Sequence, residues 1–190
     1  MIGVALAMIV GVAGHQGWKG YDLSQRRDAS QRYAEAVRIA ARNNAAETEK
    51  AFAQLAQSAP AGYAMIARFR EAALAAQQGD GPRAASLYRR LAGDGGLDAP
   101  YRDLALMLAV LADADRGEPK ALRQEIGRLT ADASPWRHVA REMAALLALR
   151  AGETGGARDE FRRLAEDATA PAALKARAQE MTAALGKKQG

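Results

Sequence analysis

The sequence predicts an all-α chain, one N-terminal transmembrane helix followed by a helical-repeat solenoid. Three observations lead there. A passage beginning at Tyr63 is rewritten 73 residues later at Trp136, so that Arg68 falls on Arg141, Ala72 on Ala145, Gly79 on Gly152, Ala84 on Ala157 and Tyr88 on Phe161. The segment "RRLAGD" from Arg89 then falls on "RRLAED" from Arg162. A looser copy lies between them, with Tyr101 placed 38 residues after Tyr63 and 35 before Trp136. That period fits one helix–turn–helix unit, which cannot bury its apolar face alone and stacks on its neighbours. Finally, alanine makes up about a quarter of the 190 residues and aromatics only 5%, a usage far from the average and rich in the best helix formers.

The elements follow in chain order. Met1 to Ala13 is wholly apolar or glycine, and the first charge is Lys19, bracketed by Trp18 and Tyr21. An apolar run closed by aromatic and basic residues resembles a bilayer-spanning helix ending at the headgroup level. Its length, about 18 residues to Trp18, is at the short limit for a span. A cleaved signal peptide and a buried core helix are the alternatives; the signal lacks a basic start and has a mediocre small-residue site at "VAG". The positive charges sit only on the C-terminal side, which alone would keep the repeats in the cytoplasm. The missing polar flank before Met1 suggests a late start, and an upstream basic segment would reverse that orientation. The domain reading is therefore an anchor over 1–21, a repeat domain over 22–185 and a frayed tail over 186–190.

From Asp22 the chain turns polar, with Tyr33, Ala36, Val37, Ala40 and Ala41 at helical spacing, and Asn43 and Asn44 ending the helix. A helix over about Ala46 to Gln57 follows, then a break at "SAPAG". The next helix, about Gly62 to Gln78, is expected to bury Ile66, Phe69, Ala73 and Ala76. "GDG" turns the chain, and Pro82 opens a helix to Ala92. Helices are expected over Ala99 to Ala112, Glu118 to Thr130, Pro135 to Ala151 and Gly155 to Asp167, with a capping helix from Pro171 to Leu185. The aromatic starts Tyr63, Tyr101 and Trp136 read as core.

The A-x3-Y/F pattern of Ala84 to Tyr88 and Ala157 to Phe161, at this period, resembles tetratricopeptide repeats. The whole layout is similar to the ancillary SecYEG translocon subunit family. The segments Gly3 to Asp22, Arg26 to Ala40, Ala59 to Asp80 and Ser134 to Glu153 carry that likeness. The resemblance implies a single-pass protein of the bacterial cytoplasmic membrane, with repeats facing the periplasm. It also implies the Sec translocon and periplasmic folding factors, including chaperones, as partners.

Chemistry has little to stand on. The chain has two histidines, His15 and His138, far apart in sequence, and no cysteine. No Ser–His–Asp arrangement is persuasive. Carboxylates pair with bases at helical spacing, as Asp159 and Glu160 do with Arg163, which reads as solvated ion pairs. "GDG" and "GDGG" follow no strand and precede no Lys-Ser/Thr, so they are turns. The net charge of +5 is interspersed with acids, whereas a nucleic-acid binder shows a basic patch. The expectation is a non-catalytic, membrane-tethered interaction module with no cofactor, metal or small-molecule substrate. Scaffolding of another envelope complex, or a repeat protein secreted after signal cleavage, is the alternative. Candidate partner contacts are Arg90, Arg128 and Arg163, each directly before a packed leucine, and Arg68 and Arg141 in a second phase. Side chains in phase form rows along a solenoid.

Overall fold

The computed structural model describes residues 2–42 and 44–186, with side chains from residue 22 onward. The described residues fold into nine α-helices and one short 3-10 helix, in two compact units, 1–77 and 78–190.

The first unit holds α1 (Ile2–Ala41), α2 (Ala45–Ser58) and α3 (Ala61–Gln77). Asn44 caps α2: its side chain accepts from the Glu47 N–H at 3.2 Å, satisfying a donor the helix start leaves open. The Thr48 hydroxyl donates to the Asn44 carbonyl at 2.7 Å, so a buried hydroxyl keeps its partner. Ala36, Phe52, Leu55 and Ala67 form the core, with Tyr33 edge-on to Phe52 at a ring separation of 6.0 Å.

Two expectations change here. On α3 the buried residues are Ala64, Ala67, Ala72 and Ala75, whereas Ile66 is 39% exposed and Ala76 is exposed. Apolar residues surround this helix, so hydrophobicity does not fix its phase. The alanines bury because they let neighbouring helices approach closely. The second change concerns the membrane. Among the described residues no helix is long and apolar enough to cross one. The N-terminal transmembrane helix, the single-pass topology and the periplasmic placement are corrected accordingly. The anchor had been placed over 1–21, whose side chains lie outside the described residues, as does His15. Of the tail, only Gly186 is described.

The second unit runs α4 (Gly81–Ala92), α5 (Ala99–Asp113), α6 (Pro119–Ile126), the 3-10 turn Gly127–Thr130, α7 (Arg137–Arg150), α8 (Thr154–Glu166) and α9 (Ala172–Gly186). Each helix packs on the next in sequence. Asp80 accepts from the Arg83 N–H at 3.1 Å, with Pro82 in the first turn of α4. Gly79 and Gly152 both have φ of +80°, a conformation that favours glycine. These are the two glycines that the doubled passage aligns. Among the other aligned residues, Ala84 and Ala157, Tyr88 and Phe161, and Leu91 and Leu164 are buried, as is Leu129 from the intermediate copy.

Arg89 ties three helices. Its guanidinium donates to both Glu125 oxygens at 2.8 and 2.9 Å and to Asp113 at 3.0 Å, and these bonds raise its pKa. The helix expected over Glu118 to Thr130 is shorter. Its α-helical part stops at Ile126, and the last turn tightens to 3-10 with the Thr130 hydroxyl on the Gly127 carbonyl at 2.8 Å. Of the three aromatic starts, Tyr101 is 43% exposed, while Tyr63 and Trp136 are half-buried. The core reading fails for Tyr101 because Leu106, Met107 and Val110 already supply the packed face of α5.

Candidate partner-binding groove

Between α6 and α8 lies a groove of about 820 Å³, floored by α7. Local sequence explains its shape. Glu118 caps α6 by accepting from the Lys120 and Ala121 N–H groups at 3.0 and 2.6 Å, and its carboxyl is held below the usual range by those bonds. Pro119 sits in the first turn, where its missing N–H costs nothing. The helix is short, and Gly127 leads into the 3-10 turn. On α7, Ala144 and Ala148 stand four residues apart in the floor, and Gly156 of α8 continues it. Small side chains there leave the space open.

Charged side chains border this floor. Lys120 and Arg123 come from α6, Arg141 from α7, and Glu160 and Arg163 from α8. Arg123 pairs with Glu153 across the groove. Arg141 donates through Nε to the Thr130 carbonyl at 2.9 Å and through Nη2 to Asp132 at 2.5 Å. Arg163 donates to Glu160 at 2.7 Å. That is the expected three-residue pair, whereas Asp159 turns to Arg162 at 3.4 Å instead of Arg163.

The five expected contact arginines therefore separate. Arg141 and Arg163, one from each phase, meet in the groove. Arg128 lies on the 3-10 turn and pairs with Asp103 at 2.5 Å, outside the groove lining. Arg90 is exposed on α4. Arg68 is on α3, in the other unit. Lys120, Arg123 and Gln124 were missed because α6 matches the outer copies poorly. The clue to the floor was present as Ala144 and Ala148 followed by the Gly155–Gly156 pair.

His138 is buried at the start of α7. Its Nε2 lies 3.0 Å from Asp167 Oδ2 and 3.3 Å from the Thr169 hydroxyl. Carboxylate and hydroxyl share one ring nitrogen, so the imidazole cannot relay a proton between them as a nucleophile-activating triad does. The Thr169 hydroxyl and backbone N–H donate to Asp167 Oδ1 at 2.6 and 2.8 Å. These two bonds first, then His138, hold the Asp167 carboxyl down to about 2. The group fastens the α8–α9 turn to α7.

A pH dependence follows. The folded pKa of Asp167 is depressed below its ordinary 3.8, so on acidification the unfolded chain takes up this proton first. The stabilisation is complete above the ordinary carboxylate range and is lost as pH falls from about 4 toward 2. In urea melts across that window, Asp167→Asn should show a shallower loss of stability than the unaltered chain; equal slopes would contradict it.

Among the described residues no group of three His, Asp or Glu side chains could hold a metal ion. The described residues form an all-helical protein-interaction module. A family model described as a tetratricopeptide repeat-like domain matches residues 1–183. No curated protein matches the chain. The likeness to the ancillary translocon subunits is corrected with the membrane helix it required, and the Sec and periplasmic partners go with it. What remains is the repeat domain itself: the chain belongs to the tetratricopeptide repeat-like domain family.

Proposed function

We propose that the groove between α6 and α8 holds a segment of a partner protein, with Arg141 and Arg163 as contacts on its walls. The supporting observation is the open floor of Ala144, Ala148 and Gly156 beneath two guanidiniums already held in place by neighbouring acceptors. A preformed groove with fixed polar groups loses little entropy on binding. Arg68, Arg90 and Arg128 are not part of this site.

Gly156→Trp tests it. A Cβ at Gly156 meets nothing within 4 Å, so the indole can fill the groove without displacing the core. Partner recovered with the full chain after chemical crosslinking should drop at least roughly tenfold, equivalent to about 1.4 kcal/mol of binding, with the melting temperature maintained. Undiminished recovery by a folded Gly156→Trp chain would remove the groove as the binding site.

A further inference from the structure

The starts of α4, α6 and α8 carry an acidic residue at one repeat position. Glu118 lies 38 residues after Asp80 and 35 before Glu153, the same spacing as Tyr63, Tyr101 and Trp136. In two copies this carboxylate caps its own helix. Asp80 accepts from the Arg83 N–H, and Glu118 from the Lys120 and Ala121 N–H groups. Glu153 departs from that pattern. It stands at the start of α8 without a side-chain cap bond and pairs instead with Arg123 of α6. A capping side chain stabilises a helix start, so α8 forgoes a contribution that α4 and α6 keep. The freed carboxylate joins the two walls of the groove.

Contacts fix where along the groove this pair lies. At one end α7 starts beside the ends of both walls: Arg141 donates to the Thr130 carbonyl at 2.9 Å, and His138 lies 3.0 Å from Asp167. There Arg163 holds Glu160 of its own helix, so that pair does not cross. At the other end α7 finishes beside the starts of both walls: Arg150 donates to the Gly117 carbonyl, and the Glu153 N–H to the Ala148 carbonyl at 2.9 Å. Glu153 therefore draws Arg123 toward this second end, where Ala148 and Gly156 line the groove. The two side chains keep 35% and 49% of their surface in solvent. Ion pairs this wet are weak and screened by salt, so an entering segment can part them at little cost.

We propose that Arg123 and Glu153 form a strap across one end of the groove, closed in the free chain and parted when a segment runs the groove's full length. The strap regulates the site between α6 and α8 and so rests on the reading of that groove as a binding site.

The test needs no partner. The chain has no cysteine, so a single introduced thiol reports local access. Ala148→Cys reads the strapped end and Ala144→Cys, beside Arg141, reads the other; each is modified in the full chain with a bulky, uncharged maleimide. Arg123→Gln or Glu153→Gln should speed modification at position 148 roughly two- to fivefold, the range an exposed pair allows, and leave position 144 unchanged. Added salt should speed position 148 in the parent chain but in neither variant. Arg123→Glu with Glu153→Arg restores the pair and should restore the parent rate, which a merely loosened α6 would not do. Gly156→Cys, where a Cβ meets nothing within 4 Å, is a second reporter of the strapped end should Ala148→Cys disturb the α7–α8 packing. Rates at the strapped end that ignore Arg123→Gln would overturn the strap, as would equal acceleration at positions 144 and 148. Either failure leaves partner binding to be decided by Gly156→Trp. Undiminished partner recovery by that variant would instead remove the groove as a binding site, whatever the thiol rates.

Discussion

Phe161→Ala should lower the unfolding free energy by about 3–5 kcal/mol. Phe161 is 1% exposed and sits among Ala145, Ala157, Leu164, Leu174 and Ala178. Several of these neighbours are alanines, with no longer side chain to swing into the vacated space. The cavity therefore persists, and its lining loses dispersion contacts outright. The same ring joins α7, α8 and α9, so α9 should become protease-sensitive before the rest of the unit. Urea melts of both chains measure the effect, and a loss below about 1 kcal/mol would mean that the site collapses or that α9 docks elsewhere.

Gly81→Ala should also destabilise, against the direction of helix propensity. In a helix, alanine is favoured over glycine by about 0.5–1 kcal/mol. At Gly81, however, a Cβ would come within 2.7 Å of the Ala112 carbonyl oxygen, a backbone atom that cannot swing aside. Seating α4 on α5 then requires a backbone shift, with an expected net loss of about 1–3 kcal/mol. Gly155 is the control, because a Cβ there meets nothing within 4 Å. Gly155→Ala should instead gain about 0.5–1 kcal/mol. Opposite signs at two helix-start glycines separate close approach from propensity; two gains would contradict the α4–α5 packing.

The all-α repeat architecture and its period, though not the membrane helix set before it, were legible because stacking leaves a mark in sequence. Ala84, Tyr88 and Leu91 recur as Ala157, Phe161 and Leu164, and all six are buried. Gly79 and Gly152 recur because each turn needs a positive φ. The phase of α3 was not legible, since apolar residues encircle it and packing against α1 and α2 chooses Ala67 over Ile66. The membrane reading treated the apolar start as an independent span, and the described residues support no such helix. Two of the five in-phase arginines line the groove. Arg141 and Arg163 converge there, whereas Arg128 turns to Asp103 and Arg90 stays on α4. Phase along a sequence places residues on equivalent helices, but it does not say which helices border the same opening. The remaining wall comes from α6, whose end is reshaped by the 3-10 turn.

The most direct measurement is site-specific photocrosslinking in the full chain. A photoreactive residue replaces Ala144 in the groove floor in one chain and the exposed Ser86 of α4 in another. A segment seated in the groove predicts one dominant adduct from position 144, lost when Gly156→Trp is added, and none of that product from position 86. Equal adducts from both positions, or an adduct at 144 that survives Gly156→Trp, would contradict partner binding between α6 and α8.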